Sequence, residues 1–355
     1  MTEHTAPSPD TLVGTDAPPS GLLEGERTEP AFVPLAEQEP GVATDAAERR
    51  ALIIGEALID VVRAADGTVV EHPGGSPANV ALGLSRLGRG VDLLTWFGQD
   101  AYGRLLTDHL RASGVEVLPG SETADRTSVA AATLDADGVA TYEFDLSWHI
   151  PTRWTSPPTA PLVVHTGSIA AVLEPGGSDV ANILAAHRDS ATLTYDPNLR
   201  PSLMPPADET RQVVEGLVAI ADVVKVSDED IAWLEPGQDP LDVAQRWAGT
   251  GPAVVVVTRG GDGATAMTAD GRQVHVEAPR VTVADTVGAG DSFMGGLIDG
   301  LWSADLLGAD KRSALRSADD ETLRRVLTRC ARIAATTVSR AGANPPTAAE
   351  LDAQD

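Results

Sequence analysis

Apolar residues fall in short blocks separated by longer amphipathic stretches. The first block, Ala51-Leu52-Ile53-Ile54-Gly55, is an apolar run closed by glycine, the pattern of a buried strand. Val91–Trp96, Leu162–His165, Thr192–Tyr195, Val223–Val226 and Val254–Thr258 read the same way. Between these blocks, apolar residues recur at helical spacing in Pro77–Leu87, Tyr102–Ala112, Asp179–His187, Glu209–Ala221 and Leu241–Ala248. Pro77 suits the first turn of its helix. Ala289–Leu301 and Glu321–Ser339 are long helix candidates near the C-terminus. The βαβα alternation predicts an α/β fold with a mostly parallel sheet covered by helices on both faces.

Two stretches break the alternation. Thr127–Leu134 and Thr141–Leu146 are strand-like and flank Asp135-Ala136-Asp137-Gly138, a good hairpin turn. Leu58–Arg63 and Thr68–Val70 flank Ala64-Ala65-Asp66-Gly67, a second hairpin. Hairpins hung on an α/β core can form a lid over a water-sensitive reaction, or simply decorate the sheet edge. The pattern leaves both open.

Composition narrows the classes of protein. The chain has 355 residues, 42 % of them hydrophobic, so a large core is available and global disorder is excluded. Length alone allows two or three domains. The net charge is −26, which argues against nucleic-acid and anionic-membrane partners, though not against a small anion in a local pocket. The single cysteine, Cys330, excludes a disulfide framework and a cysteine-based zinc cluster. No apolar run approaches the ~20 residues that span a bilayer, and no basic region precedes an apolar stretch at the N-terminus. A soluble, cytoplasmic protein is expected. Residues 1–48 hold ten acidic residues, one basic residue and seven prolines, for a net charge of −9, and read as a disordered acidic tail.

Candidate chemistry lies in two glycine clusters. Asp285-Thr286-Val287-Gly288-Ala289-Gly290-Asp291 opens an apolar helix, whose first amides form a ready site for a phosphate oxygen. Asp291, in the first turn, either favours the helix dipole or accepts a hydroxyl proton beside that anion site. Gly74-Gly75-Ser76-Pro77-Ala78-Asn79 opens another helix, with Asn79 one turn inside. Asn is a poor helix former there, and either a cap or a hydrogen bond to a polyol would explain it.

Together the two clusters resemble the signatures of the PfkB, or ribokinase-like, family of carbohydrate kinases. Gly74-Gly75-x-Pro77-x-Asn79-x-Ala81, then Gly88 and Gly98, follows the N-terminal signature; Asp285-Thr286-x-Gly288-Ala289-Gly290-Asp291 with Gly295 follows the C-terminal one. The likeness runs over roughly residues 51–347. It implies a three-layer α/β/α sandwich, with a central mostly parallel sheet and a small β-lid from about 58–72 and 127–147. The kinase domain would cover 49–347, and 348–355 would be a C-terminal tail. By resemblance, Asp291 takes the proton from a sugar hydroxyl, and Gly288, Ala289 and Gly290 form the anion hole for the transferred phosphoryl group. A loose phosphoryl transition state needs mainly positioning and charge stabilisation, so a weakly basic carboxylate suffices.

Other positions match more loosely. Asp60 resembles the family's sugar-hydroxyl carboxylate, and a carboxylate can accept two hydroxyl hydrogen bonds. Gly74, Gly75 and Asn79 would line the sugar site. Arg200 could meet a phosphate or substrate oxygen, or anchor its own loop. Thr258-Arg259-Gly260-Gly261-Asp262-Gly263 resembles a nucleotide-binding turn and also reads as a hairpin between Val254–Val257 and Ala264–Met267. Lys225, Ser227 and Asn344 would complete the nucleotide site, Asn344 from an Ala341–Pro346 segment expected to close over the adenine. One departure stands out. Where many members have Asn-x-x-Glu, this chain has Ser227 and Asp230, which keeps a carboxylate on a shorter arm to meet Mg²⁺ through water. The resemblance therefore implies ATP and Mg²⁺, with K⁺ as an open option. No Gly-x-x-x-x-Gly-Lys-Ser/Thr loop is present, which sets aside P-loop kinases.

For the sugar, Gly55-Glu56-x-Leu58-Ile59-Asp60, Asp196-Pro197-Asn198-Leu199-Arg200 and Arg340-x-Gly342-Ala343-x-Pro345-Pro346 resemble the bacterial fructokinases. The runner-up is 2-keto-3-deoxygluconate kinase, which resembles this chain in its Asp-x-Asn-x-Arg stretch. That substrate carries a carboxylate, for which Phe144 offers no partner and which Glu143 would repel. Ribokinase or another sugar or nucleoside kinase stays open. A catalytically silent sugar-binding regulatory homologue should lose Asp291 or the glycine hole, and this chain keeps both. The expected partners are a sugar and ATP; a monomer and a homodimer formed through the lid are both open.

Overall fold

The computed structural model describes residues 49–134, 140–157 and 159–353. The acidic stretch 1–48 and the Asp135–Gly138 turn lie outside the described residues. The chain runs β1 (Arg50–Ile54), β2 (Leu58–Arg63), β3 (Val69–Gly74), α1 (Ser76–Arg86), β4 (Gly90–Leu94), α2 (Ala101–Ala112), β5 (Val115–Val117), β6 (Val129–Leu134) and β7 (Ala140–Asp145). It continues with β8 (Val163–Gly167), α3 (Gly176–His187), β9 (Thr192–Asp196), α4 (Ala207–Ile220), β10 (Val223–Ser227), α5 (Asp228–Leu234), α6 (Pro240–Ala248) and β11 (Val254–Thr258). The last elements are β12 (Ala264–Thr268), β13 (Gln273–Val276), α7 (Ala289–Ser303), α8 (Arg312–Arg316), α9 (Asp320–Val338) and α10 (Ala348–Asp352).

Nine strands form the central sheet in the order β13-β12-β11-β10-β9-β8-β1-β4-β5. Strands β5 to β11 of that order run parallel, and β12 and β13 add an antiparallel edge. Strand alternation explains why the apolar runs are continuous. In β1, Ala51 and Ile53 point into one core while Leu52 and Ile54 point into the other. The first core is closed by α1, α2, α7 and α9, and the second by α3, α4, α5 and α6. The result is the expected α/β/α sandwich.

The two sequence hairpins form one separate four-stranded sheet, β3-β2-β6-β7, joined by parallel pairing of Ile59 with Val129. Ile59, Val61 and Ala131 on one face are buried in the first core, so the lid is anchored on that side. Register then sends Asp60, with His72, Ala130 and Phe144, to the other face. Strand β3 extends to Gly74, beyond the expected Val70, because pairing with β2 carries it on to the start of α1. Register also corrects one expectation: Glu143 pairs opposite Ala131 and so lies on the face away from Asp60. The C-terminus differs as well. Residues 348–352 form α10 rather than a tail, started by a capping box of Thr347 and Glu350, with Leu351 buried against Leu87 and Ile333.

Helix α7, whose first turn carries the candidate base, is held against α9 by close backbone approach. A Cβ on Gly300 would lie 2.8 Å from Cγ1 of Val326, a stiff β-branched side chain. Gly300→Val should therefore destabilise the fold by about 1–3 kcal/mol through overpacking, read as a lowered urea midpoint at unchanged m-value.

Candidate active site

Parallel strands deliver loops to one edge of a sheet, and the candidate residues collect there, beyond the carboxyl ends of β1, β8, β9, β10 and β11. Helix α7 begins at this edge. Its N-cap, Gly288, has φ 75°, a left-handed turn that glycine adopts without strain. The turn leaves no room for a side chain, since a Cβ on Gly288 would lie 2.6 Å from Cβ of Ala343. The Ala289 amide donates to the Thr286 carbonyl at 3.3 Å, and Asp291 is buried in the first helical turn.

The Asp291 carboxylate is held from two other segments. Ser76 Oγ donates to Oδ1 at 2.7 Å, and Asn79 Nδ2 donates to Oδ2 at 2.8 Å. Asn198 Nδ2 donates to Ser76 Oγ at 2.7 Å and to Asp291 Oδ1 at 3.2 Å. Asn79 inside α1 is not a backbone cap: its side chain donates to Asp291, a contact neither sequence reading named. Asn198 sits at φ 38°, a conformation asparagine tolerates. Arg200 Nη1 donates to Asn198 Oδ1 at 2.8 Å and to the carbonyls of Asn198 and Leu199. That anchors the loop, the plainer of its two sequence readings, and turns the Asn198 amide nitrogen toward Asp291.

Beneath Gly290 lies Lys225. A Cβ on Gly290 would come 2.9 Å from its Nζ. The lysine is buried and pairs with Asp196 Oδ2 at 3.0 Å. Burial disfavours the ammonium, but Asp196 and then Asp230 outweigh it and hold Lys225 above its ordinary value. Burial pushes Asp196 up, and Lys225 opposes that. At this separation the pair is read as ionised. Lys225 thus underlies the glycine turn from within the sheet.

Ser227 caps α5, and its hydroxyl accepts from the Asp230 amide at 3.0 Å. Both Asp230 oxygens are engaged, Oδ1 by the Leu199 amide at 2.8 Å and Oδ2 by the Ser227 amide at 3.1 Å. Asp60 is half-buried on the lid face, close enough to Gly74 that a Cβ there would meet Oδ2 at 2.1 Å. Burial raises Asp60 to about 6, against the pull of Arg200 and His72. Gly75, at φ 100°, continues the crossing from lid to helix.

The expected nucleotide segment forms the turn of the β11–β12 hairpin, the plainer of its two sequence readings. Thr258 Oγ1 donates to the Val226 carbonyl at 3.4 Å, and Gly260 and Gly263 take left-handed φ of 48° and 85° in the turn. Arg259, just before Gly260, has a buried Nε without a hydrogen-bond partner, a donor the sequence did not single out. Asn344 lies in the segment beside Gly288, where Asp285 accepts from the Gly342 amide at 2.8 Å; Asn344 Oδ1 accepts from Arg86 at 2.7 Å. Hydrogen bonds therefore bring Asp291 and Asn79 together, and Arg200 with them by way of Asn198. Among the described residues, Gly260, Gly263 and Asn344 share no hydrogen bond with that group.

Residues 48–349 match the pfkB family carbohydrate kinase pattern. A fructokinase of Rhizobium leguminosarum bv. trifolii is 33 % identical over 286 residues, covering 77 % of this chain and 85 % of that one. The structure of an ATP-bound fructokinase from Xylella fastidiosa superposes with a TM-score of 0.74 at 24 % identity, covering 85 % of this chain and 96 % of that one. A double mutant of a Vibrio cholerae O395 fructokinase, solved with fructose, ADP and a potassium ion, gives a TM-score of 0.70 at 25 % identity, covering 86 % and 98 %. The chain belongs to the PfkB family of carbohydrate kinases. It is thus a phosphotransferase with an alcohol group as acceptor. Among the described residues, no helix is long and apolar enough to cross a membrane.

Asp196→Asn would leave the Lys225 ammonium buried without its counter-charge. We expect a loss of about 3–5 kcal/mol in folding stability, measured by urea denaturation.

Proposed function

We propose that this chain is a fructokinase that transfers the γ-phosphoryl group of Mg²⁺–ATP to a hydroxyl of fructose. The observation that carries the reading is Asp291 at the start of α7, beside the glycine turn and held by Ser76 and Asn79 from the lid-to-helix crossing. In this reading a fructose hydroxyl oxygen bonds to the γ-phosphorus while the bond to the β–γ bridging oxygen breaks. The hydroxyl proton passes to Asp291, and ADP leaves. The amides from Gly288 to Gly290 face the developing charge, with Lys225 behind them. Asp60, Gly74, Gly75 and Asn79 line the sugar side, and Arg200 steadies Asn198. Ser227, Thr258, Gly260, Gly263 and Asn344 belong to the nucleotide side.

Among the described residues, no group of three or more His, Cys, Asp or Glu could hold a metal on its own. That fits Mg²⁺, which keeps several waters and relies on substrate phosphates plus one or two carboxylates. Asp196, Asp230 and Asp291 all bear electrostatically on Lys225 at this edge, and Asp230 would meet the ion through water. When bound, Mg²⁺ would neutralise phosphate charge. The potassium-bound Vibrio relative supports a K⁺ response, read by comparing initial rates in K⁺ and Na⁺ salts.

The fructokinase relative supports fructose. A coupled assay of ADP release over fructose, ribose and 2-keto-3-deoxygluconate tests the reading. Fructose should give the highest kcat/KM, and Asp291→Ala should lower kcat by about 10²–10⁴-fold. Equal turnover by that variant would sink the kinase mechanism, and a win by another sugar would sink the fructose assignment.

The same assay has a pH signature. Asp60 accepts hydroxyl hydrogen bonds when ionised and loses that capacity as pH falls through about 6. The KM for fructose should rise below pH 6. Asp60→Asn should raise it at every pH and flatten that dependence.

A further inference from the structure

Glu56 plays no part in the mechanism above, yet it occupies a point through which the site must be assembled. It lies between β1 of the central sheet and β2 of the lid, and it is 6 % exposed. Its Oε1 accepts from the Ser76 amide at 3.3 Å, and its Oε2 accepts from the Ala170 amide at 3.2 Å. Both partners matter. Ser76 is where the chain returns from lid strand β3 into α1, and its hydroxyl holds Asp291 at 2.7 Å. Ala170 follows β8 in the central sheet, and its carbonyl accepts from Trp148 Nε1 at 3.0 Å. Trp148 in turn follows lid strand β7. One carboxylate thus ties together three of the four places where chain passes between lid and sheet.

The crossings have little slack. A Cβ on Gly75 would lie 2.4 Å from the Glu56 carbonyl oxygen, and one on Gly55 would lie 2.2 Å from Cγ of Pro77. Burying a carboxylate here carries a cost, and burial raises Glu56 to about 7. The carboxylate is suited to the position because both of its oxygens accept and two amides face it. A glutamine of the same shape would present an N–H to one of them.

We propose that Glu56 is a positioning residue for the phosphoryl transfer. By holding the Ser76 and Ala170 amides with its two oxygens, it fixes the lid crossings to the sheet and, through Ser76, sets the Asp291 carboxylate. The proposal rests on the role given to Asp291 above.

The test uses the full chain and compares Glu56→Gln, Ser76→Ala and the double variant in the coupled assay, with thermal denaturation alongside. Each single change should lower kcat at least tenfold while the KM for ATP stays within twofold. The double variant should be no slower than the poorer single, because Glu56 acts through Ser76. A Glu56→Gln enzyme within twofold of the wild-type kcat overturns the proposal, even if its melting temperature falls. So do losses that multiply in the double variant. If Glu56→Gln does not fold, the decision passes to Glu56→Asp, whose shorter arm cannot reach both amides. Wild-type kcat there overturns the proposal, and a tenfold loss at unchanged ATP KM, with Ser76→Ala also slowed, upholds it. Asp291→Ala separates the two levels. If it turns over normally, the mechanism itself is wrong; if it is inactive while Glu56→Gln is silent, only the role of Glu56 falls.

Discussion

The Asp291 carboxylate accepts hydrogen bonds from Ser76, Asn79 and Asn198, and so joins the first turns of α1, the loop after β9 and the start of α7. Each of these segments is also fixed by something else. Helix α7 is fixed by close packing on α9, α1 by its glycine crossing from the lid, and the β9 loop by Arg200 and Asp230. A carboxylate in such a setting has a set direction before any substrate arrives. That is what a reaction governed by positioning requires.

Charge makes a similar point. A chain of net charge −26 has only two lysines, Lys225 and Lys311. Lys311 pairs with Asp305 at the surface, whereas Lys225 is buried beneath the glycine turn. Phosphate recognition in the proposed mechanism accordingly falls to helix-start amides, one buried ammonium and a few arginines. Bulk charge does not bear on such a site, because local donors dominate where water is excluded.

The lid shows how register decides what a side chain can do. Asp60 and Glu143 both sit on lid strands, and both are acidic. Pairing places Asp60 in a row with His72, Ala130 and Phe144 on the site face, and Glu143 opposite Ala131 on the other. Glu143 is therefore not placed to repel a carboxylated sugar beside Asp60, and Phe144 stands on that face instead.

Period and punctuation in the sequence were enough for the layered α/β/α architecture, for most strands and helices, and for the two glycine turns with Asp291 and Asn79. Those features depend on neighbours within a few residues: apolar alternation, a proline in a first turn, a glycine where φ must be positive. Tertiary structure alone decided the rest. Ser76 lies 215 residues from Asp291 in the chain and Asn198 lies 93 away, so neither contact leaves a local signal. The two hairpins became one sheet through pairing between β2 and β6, which no short-range pattern encodes. Glu56 stood in plain view as an acid after a buried strand. Only the fold shows that one amide it holds lies at the return from lid to α1 and the other follows β8 in the central sheet, because hydrogen bonds of that kind are set by which strands lie side by side.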